Sequence, residues 1–417
     1  MLRRSLFSML TISLALSIAT AADWPQWRGP NRDGISKDTG LLQEWPKEGP
    51  PLRWKATDIG PGYSSPVVVG GKVYLQTTKG EEEFALCLDE KKGDRIWQDK
   101  AIGAVGKNRG PNYPGTRSTP TMDGELMYCL SSSGQLSCLF SQTGKEKWHK
   151  DLVKDFGGQV GTGQMSWAYS ESVLVDGNAV ICTPGGAEAT LLALNKTTGD
   201  VIWKAAIADA DPADYASVMP FEAGGVKQYV QFTRKGLVAV DAKTGKFLWR
   251  YNKTSDFGAN ILTPVVYQDK VFSSGSRSGG ATLEVTSEGG KVEAKELFFG
   301  KAFGASIGGA VLVDGYLYGS TTQGLFCIEF ATGKEKWTEK STGNASICYA
   351  DGCLYVRSHQ SGDVFLVEAN PKEYVEKGRF KQPDRTKTPA WPHPVVANGG
   401  LYVRDMDTLY CFEVAKR

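Results

Sequence analysis

The chain has 417 residues, with 48 Lys and Arg against 46 Asp and Glu, a formal net charge of +2 and 23% charged residues. Without Arg3 and Arg4, which lie in the first 21 residues, the balance is 46 basic against 46 acidic groups. So neutral a chain carries no electrostatic footprint for nucleic acid or an anionic membrane surface. Its 49 glycines point to many tight turns.

In chain order, residues 1–21 come first. Arg3 and Arg4 precede the apolar run LFSMLTISLALSIA, and Ala19-Thr20-Ala21 offers a small-x-small cleavage site. This is the pattern of a secretory signal peptide. The run is short for a membrane span, and no Cys follows the cleavage site to carry a lipid. The reading is an exported protein, periplasmic or secreted, with no membrane insertion after cleavage. Residues 22–50 form an N-terminal extension.

From residue 51 onward a unit repeats. Its first copy reads SPVVV, turn GGK, VYLQT, a loop, FALCLD, turn KKGD, RIWQD. Short alternating runs divided by turn residues predict four strands in a meander. Seven further copies follow, opening at TPTM, SVLVDGN, SVMPF, TPVVYQD, GAVLVDG, SICYADG and HPVVANG. Five copies end in a Trp preceded ten positions earlier by a small residue: Cys87 and Trp97, Cys138 and Trp148, Ala193 and Trp203, Ala239 and Trp249, Cys327 and Trp337. The fifth and seventh copies lack this phrase. The eighth stops after LYCFEVAKR without a fourth strand, and PLRWKA around Trp54 is a spare fourth strand at the other end. Joining them closes a ring and removes two open sheet edges. The predicted fold is all-β, an eight-bladed β-propeller of four-stranded antiparallel blades over residues 51–417.

The repeat assigns structural roles. Gly in Thr-Gly-Lys turns the third strand into the fourth. Trp54, Trp97, Trp148, Trp203, Trp249 and Trp337 wedge against neighbouring blades. A phosphate-loop reading of TGK fails for lack of the Gly spacing and following helix. A position filled by either Cys or Ala is a small packed site, and Cys411 matches it by motif. The pairs Cys129/Cys138 and Cys348/Cys353 flank turns and leave two local disulfides open, since spacing alone does not fix their geometry.

The meander also separates two faces. Turns of the GGK and TGK kind gather on one. The long segments 98–117, 149–169, 204–215, 250–261 and 378–391 gather on the other, where binding is expected. Aligning the first strands puts Tyr63, Arg117, Tyr169, Tyr215, Ile261, Ile307, Asn344 and Trp391 at their start on that face. Ser65, Thr119, Glu171, Ser217, Thr263, Gly309, Ser346 and His393 lie two residues on. First strands line the channel, so these two rings surround its mouth. The aromatic, Arg, Glu and His members suit a planar or polar ligand; they also suit a plain channel plug. Trp167 lies in the adjacent Gly-rich loop. Asp209, Asp211 and Asp214 lack the Gly and terminal Glu of an EF-hand, so a solvated acidic loop is expected there. The three histidines, His149, His359 and His393, are far apart, and no metal site is read from the sequence. No GxSxG elbow is present.

The phrase carried by Ala239, Asp241, Thr244, Gly245, Lys246 and Trp249 resembles the repeat of the pyrroloquinoline quinone (PQQ) propeller superfamily. The resemblance extends over essentially the whole chain after residue 21. DWPQWRGPNRDGIS at 23–36 and the following YSSPVVVGGKVY resemble secreted PQQ-like propellers of planctomycete-type bacteria. That superfamily contains quinoprotein alcohol dehydrogenases and the outer-membrane assembly factor B, a non-catalytic scaffold. This chain lacks the dehydrogenases' vicinal Cys pair and any CxxCH haem site, and it lacks the assembly factor's lipid-bearing Cys. Two functions follow as expectations. One is an exported, monomeric binding or scaffold module that meets a protein or polymer at its long-loop face. The other is a PQQ- and calcium-dependent alcohol dehydrogenase. In the second, Trp167 or Trp391 would stack on the quinone, Arg117 would pair its carboxylates, and Glu171 would act as base or metal ligand.

Overall fold

The repeated runs resolve into eight four-stranded antiparallel sheets in a computed structural model that describes residues 22–106, 115–161, 167–208, 211–256, 259–305 and 307–416. The signal-peptide reading of 1–21, and Asp209, lie outside these residues. The first blade runs Val67–Val69, Lys72–Lys79, Glu82–Asp89, Arg95–Ala104. Six more meanders occupy 121–151, 174–205, 219–251, 265–300, 310–339 and 345–380. The last blade holds Val395–Ala397, Gly400–Asp405 and Thr408–Glu413, and takes Leu52–Ala56 as its outer strand. The ring therefore closes by pairing the two ends of the repeat region, as the missing and spare strands imply. Boundaries differ in places. Arg95–Ala104 extends through residues expected to be loop, and a short helix, Leu152–Phe156, capped by Asp151, interrupts the 149–169 connection. Among the described residues no helix is long and apolar enough to cross a membrane.

The ten-residue offset has a direct cause. Cys87, Cys138, Ala193, Ala239, Cys327 and Cys411 each lie opposite a Trp (Trp97, Trp148, Trp203, Trp249, Trp337 and Trp54) in the pairing of third and fourth strands. A one-residue bulge adjoins every one of these pairs. The small side chain leaves room for the indole crossing over it. The indole then reaches the next blade. Nε1 of Trp54, Trp148, Trp203 and Trp337 donates to the carbonyls of Glu90, Lys196, Ala242 and Asn370. Trp249 donates to Gln228 Oε1 within its own blade. A Cβ at Gly93, Gly199 or Gly245 would fall 2.5–3.0 Å from the rings of Trp54, Trp148 and Trp203 respectively. Glycine is therefore needed twice in this turn, for its positive φ (74°, 77° and 72°) and for the ring above it.

The two degenerate blades fill the gap differently. In the fifth, Phe298 lies at the bulge opposite Thr282, and its ring covers Gly333 of the next blade. In the seventh, Gly378 occupies the bulge position opposite Leu366. The space above it is taken by Trp45 of the extension, which is 7% exposed and packs on Tyr355 and Phe380 with centroids 5.8 and 5.4 Å away.

All eight cysteines are buried free thiols. Cys129 pairs with Ser137, so Cys138, one residue on, points to the opposite sheet face. Cys353 pairs with Ala350, leaving Cys348 a diagonal neighbour two residues along, wider than a disulfide spans. The acidic loop also differs from expectation. Asp211 and Asp214 are buried, not solvated, and bind Arg250 and Arg234, the latter at 3.5 Å.

The extension crosses the short-turn face. Trp24 bridges to Val68, Ile35 to Tyr349 and Leu41 to Ala415. Arg32, 1% exposed, donates to Ser172 O at 2.7 Å, Val173 O at 3.1 Å and Gln26 Oε1 at 3.0 Å. The segment thus plugs the channel from below, on the short-turn face.

Candidate functional site

Above this plug lies a cavity of about 330 Å³ on the propeller axis. That is at the lower end of the range that small-molecule sites occupy. Its walls come from the irregular segments leading into the first strands. Tyr63, Arg117, Trp167, Tyr215, Ile261, Ile307 and Trp391 line the upper part, and Ser65, Ser172, Ser217, Thr263, Gly309 and His393 the lower. Trp27 and Arg28 form the floor.

Hydroxyls join blade to blade in the lower ring. Ser65 Oγ accepts from His393 N at 3.0 Å, and Thr119 Oγ1 from Ser65 N at 3.2 Å. Ser172 Oγ accepts from Thr119 N at 2.9 Å, and Ser217 Oγ from Ser172 N at 3.0 Å. Thr263 Oγ1 accepts from Trp27 Nε1 at 2.9 Å, seating the floor. The His393 ring lies edge-on to Trp27, with centroids 4.6 Å apart. Burial, then the charge of Arg28, pushes its pKa down to about 3. The ring is therefore neutral, and its Nε2 donates to Ile307 O at 2.8 Å.

Two aromatic pairs frame the mouth. Tyr63 meets Trp391 at 5.0 Å, and Tyr215 meets Trp167 at 5.7 Å. Arg117 links them, with its guanidinium 5.8 Å from the Tyr63 ring centre and Nη1 donating to Trp167 O at 3.1 Å. Trp167 N donates to Tyr215 Oη at 3.1 Å. Ala259, Ile261 and Ile307 make the facing wall aliphatic.

Six of the eight residues singled out from the sequence thus share one cavity: Tyr63, Arg117, Trp167, Tyr215, Trp391 and His393. Tyr169 and Glu171 do not line it; Ser170 and Ser172 do. The third blade is aligned one residue off, and a slip of one sends every side chain to the other face. The hairpin turn carries the right register. Ser172 stands two residues before Leu174–Asp176, as Ser65 and Thr119 stand before Val67–Val69 and Thr121–Asp123. Tyr169 instead enters the core and donates from Oη to Pro184 O at 2.8 Å. Glu171 is 1% exposed and accepts from Thr183 N at 2.8 Å and Thr183 Oγ1 at 3.1 Å. Burial raises its pKa to about 8 against those hydrogen bonds and Arg32. Asn344 and Ser346 also lie off the lining; Ser346 Oγ meets His359 Nε2 at 2.8 Å. Trp27 and Arg28 were missed, because nothing in the repeat reports where a non-repeating segment docks.

No Asp or Glu lies among the described lining residues, and no group of three or more His, Cys, Asp or Glu among the described residues is placed to hold a metal. A calcium or lanthanide ion needs several oxygen ligands, carboxylates foremost. The described donors around this cavity do not fit one.

Among curated proteins the chain is similar to tetrathionate hydrolase of Acidithiobacillus ferrooxidans, at 26% identity over 68% of this chain and 60% of that protein. It is also similar to subunit 1 of the cytochrome c-linked methanol dehydrogenase of Methylorubrum extorquens, at 31% identity over 34% of this chain and 23% of that subunit. The chain thus spans less than two thirds of the curated relatives it matches. Among solved structures, BamB from Moraxella catarrhalis superposes with a TM-score of 0.57 at 16% identity, covering 81% of this chain and 95% of that one. Quinohemoprotein alcohol dehydrogenase from Comamonas testosteroni superposes at 0.64 and 13%, covering 95% and 81%. These two likenesses bear on fold alone. The PQQ-repeat family model described as outer membrane protein assembly factor BamB matches residues 35–164 and 86–339, and with the eight-bladed ring and its cross-strand Trp motif this establishes that the chain belongs to that family.

Proposed function

We propose that this chain is an exported binding module, which takes its ligand or partner at the long-loop face and in the axial cavity beneath it. The observation that carries this reading is the lining itself. It is aromatic, aliphatic and hydroxyl-rich, and its described residues include no carboxylate to serve as base or metal ligand. Tyr63, Arg117, Trp167, Tyr215, Trp391 and His393 are the proposed contacts. A protein or polymer partner would meet the same mouth. The family's description as an assembly factor favours such a role.

The competing reading is the quinoprotein dehydrogenase. The arginines suit the carboxylates of PQQ, but the metal does not fit, and Glu171 is turned away from the cavity as Thr183's hydrogen-bond acceptor. No catalytic step is assigned. Calorimetric titration with PQQ, with and without calcium, followed by dye-linked oxidation of simple alcohols, separates the two readings. Absence of turnover in every combination is expected. Calcium-dependent binding with alcohol oxidation would replace the binding module by an oxidoreductase.

A further inference from the structure

The extension shows how the short-turn face holds an extended segment. Residues 38–45 pass between the turns of the seventh and eighth blades and on to the outer strand of the seventh. Asp38 Oδ2 accepts from Gly399 N at 2.8 Å, and Leu41 N donates to Asp351 Oδ2 at 2.8 Å. Leu42 N donates to Val414 O at 2.8 Å, and Trp45 N to Lys377 O at 3.0 Å.

Between the third and fourth blades lies the counterpart of this groove, about 460 Å³, and no other described segment crosses it. Internal hydrogen bonds fix the correspondence. Lys196 N donates to Asn178 O as Ala369 N does to Gly352 O, and Ala242 N to Lys227 O as Val414 N does to Gly399 O. Gly177 therefore stands where Asp351 does, Lys227 where Gly399 does, and Lys243 where Ala415 does. Ile202, beside Trp203 at the bulge, stands where Lys377 does.

The chemistry along the track differs. The carboxylate of Asp351 has no counterpart, and two lysines enter. Lys243 is exposed and makes no ion pair among the described residues; Lys227 is half exposed and meets Asp176 Oδ2 at 2.6 Å. The groove's own carboxylates are engaged. Asp176 also accepts from Tyr229 Oη at 2.8 Å, and Asp241 Oδ1 caps its turn through Lys243 N at 3.1 Å and Thr244 N at 2.8 Å. At the outer end two adjacent branched side chains, Val201 and Ile202, are 45% and 48% exposed. Trp203 already fills the gap that Trp45 fills in the seventh blade, and its Nε1 donates to Ala242 O, the counterpart of Val414 O. An occupant therefore lies over this track without a wedge of its own.

We infer that the groove between the third and fourth blades binds an extended acidic peptide of a partner protein. Its carboxylates meet Lys227 and Lys243, and an apolar residue, spaced from them as Trp45 is from Asp38, covers Val201 and Ile202. Main-chain contacts supply affinity in such a site, and the side chains at fixed spacing supply specificity. The groove lies on the face opposite the long loops, so this inference does not depend on the reading of the axial cavity.

The test is fluorescence anisotropy of the purified protein with two labelled peptides built on residues 36–45, SKDTGLLQEW. The acidic probe carries Leu41→Asp, which sets carboxylates opposite Lys227 and Lys243. The basic probe carries Asp38→Lys and Leu41→Lys. The acidic probe is expected to bind one to one, and about tenfold tighter than the basic probe. Lys227→Glu combined with Lys243→Glu should reverse that preference. Ile202→Ser should weaken the acidic probe about threefold. All three are surface positions, so a loss reports the contact and not the fold. Equal binding of the two probes, or no saturable binding of either, overturns the inference. A preference that survives the double lysine substitution also overturns it and places the peptide elsewhere on the molecule. An unchanged affinity in Ile202→Ser overturns the apolar end of the track.

Discussion

Trp45 fills the space that a side chain at Gly378 would need: a Cβ there would lie 2.7 Å from Trp45 Cβ and 3.1 Å from its backbone N. Gly378 stands at the bulge where six other outer strands carry Trp. The extension therefore supplies the seventh blade with the wedge its own sequence lacks. Trp45→Ala is expected to cost about 3–5 kcal/mol, as for other large aromatic truncations in a core. Urea denaturation measures this; a loss below about 1 kcal/mol would make the extension an accessory.

Gly245 and Trp203 form a second such pair across blades. Gly245→Ala forces a Cβ to 2.6 Å from Trp203 Cε3 at a φ of +72°. A destabilisation of roughly 1–3 kcal/mol is expected. Combined with Trp203→Ala it should cost less than the sum, by more than about 0.5 kcal/mol. A strictly additive cycle would place the cost in the backbone alone.

Stability should fall as pH rises from about 6.5 to 8. Burial raises Glu171 to about 8, and Glu83 and Asp214 to about 7. Each stays protonated in the folded chain well above its unfolded pKa, so its contribution is present at low pH and lost as pH passes the folded value. His359 and His393, pushed down to about 3 chiefly by burial, act oppositely and only below about pH 6.5. Glu171→Gln should flatten the decline above pH 6.5 in thermal melts. An unchanged slope would show that Glu171 is ionised in the folded state.

Arg32 fastens the extension under the channel through two hydrogen bonds, to Ser172 O and Val173 O. Arg32→Met leaves the carbonyls of Ser172 and Val173 without this donor and should cost about 1.5–3 kcal/mol. It should also speed proteolytic cleavage within 22–50, read by N-terminal sequencing of the fragments. Wild-type resistance in the variant would mean that the backbone bridges suffice.

The thiols give a simple check. With all eight buried and unpaired, a bulky thiol reagent should label none in the folded protein and all eight after denaturation. A count below eight in denatured, unreduced protein would reveal a disulfide.

The ring was legible because its cause is periodic. Cys87 and Trp97 face each other across two strands, so their offset survives in the sequence wherever that pairing recurs. The spare Trp54 strand told how the ends meet. The cavity was legible in part, since Tyr63, Arg117, Tyr215, Trp391 and His393 hold regular register positions. Tyr169 and Glu171 are one residue off because the segment entering the third blade is irregular and carries no alternation of its own; counting back from the Asp176-Gly177 turn gives Ser170 and Ser172.

By itself the sequence determined blade number, strand order, ring closure and which face carries the long loops, because each follows from local alternation and turn chemistry repeated many times. Only the tertiary structure decided that Trp45 completes the seventh blade and that Arg28 and Trp27 floor the axial cavity. Those residues occur once, outside the repeat, and their partners are Gly378, Gly309 and Thr263, hundreds of positions away. Contacts at such separation leave no periodic trace, and packing alone selects them.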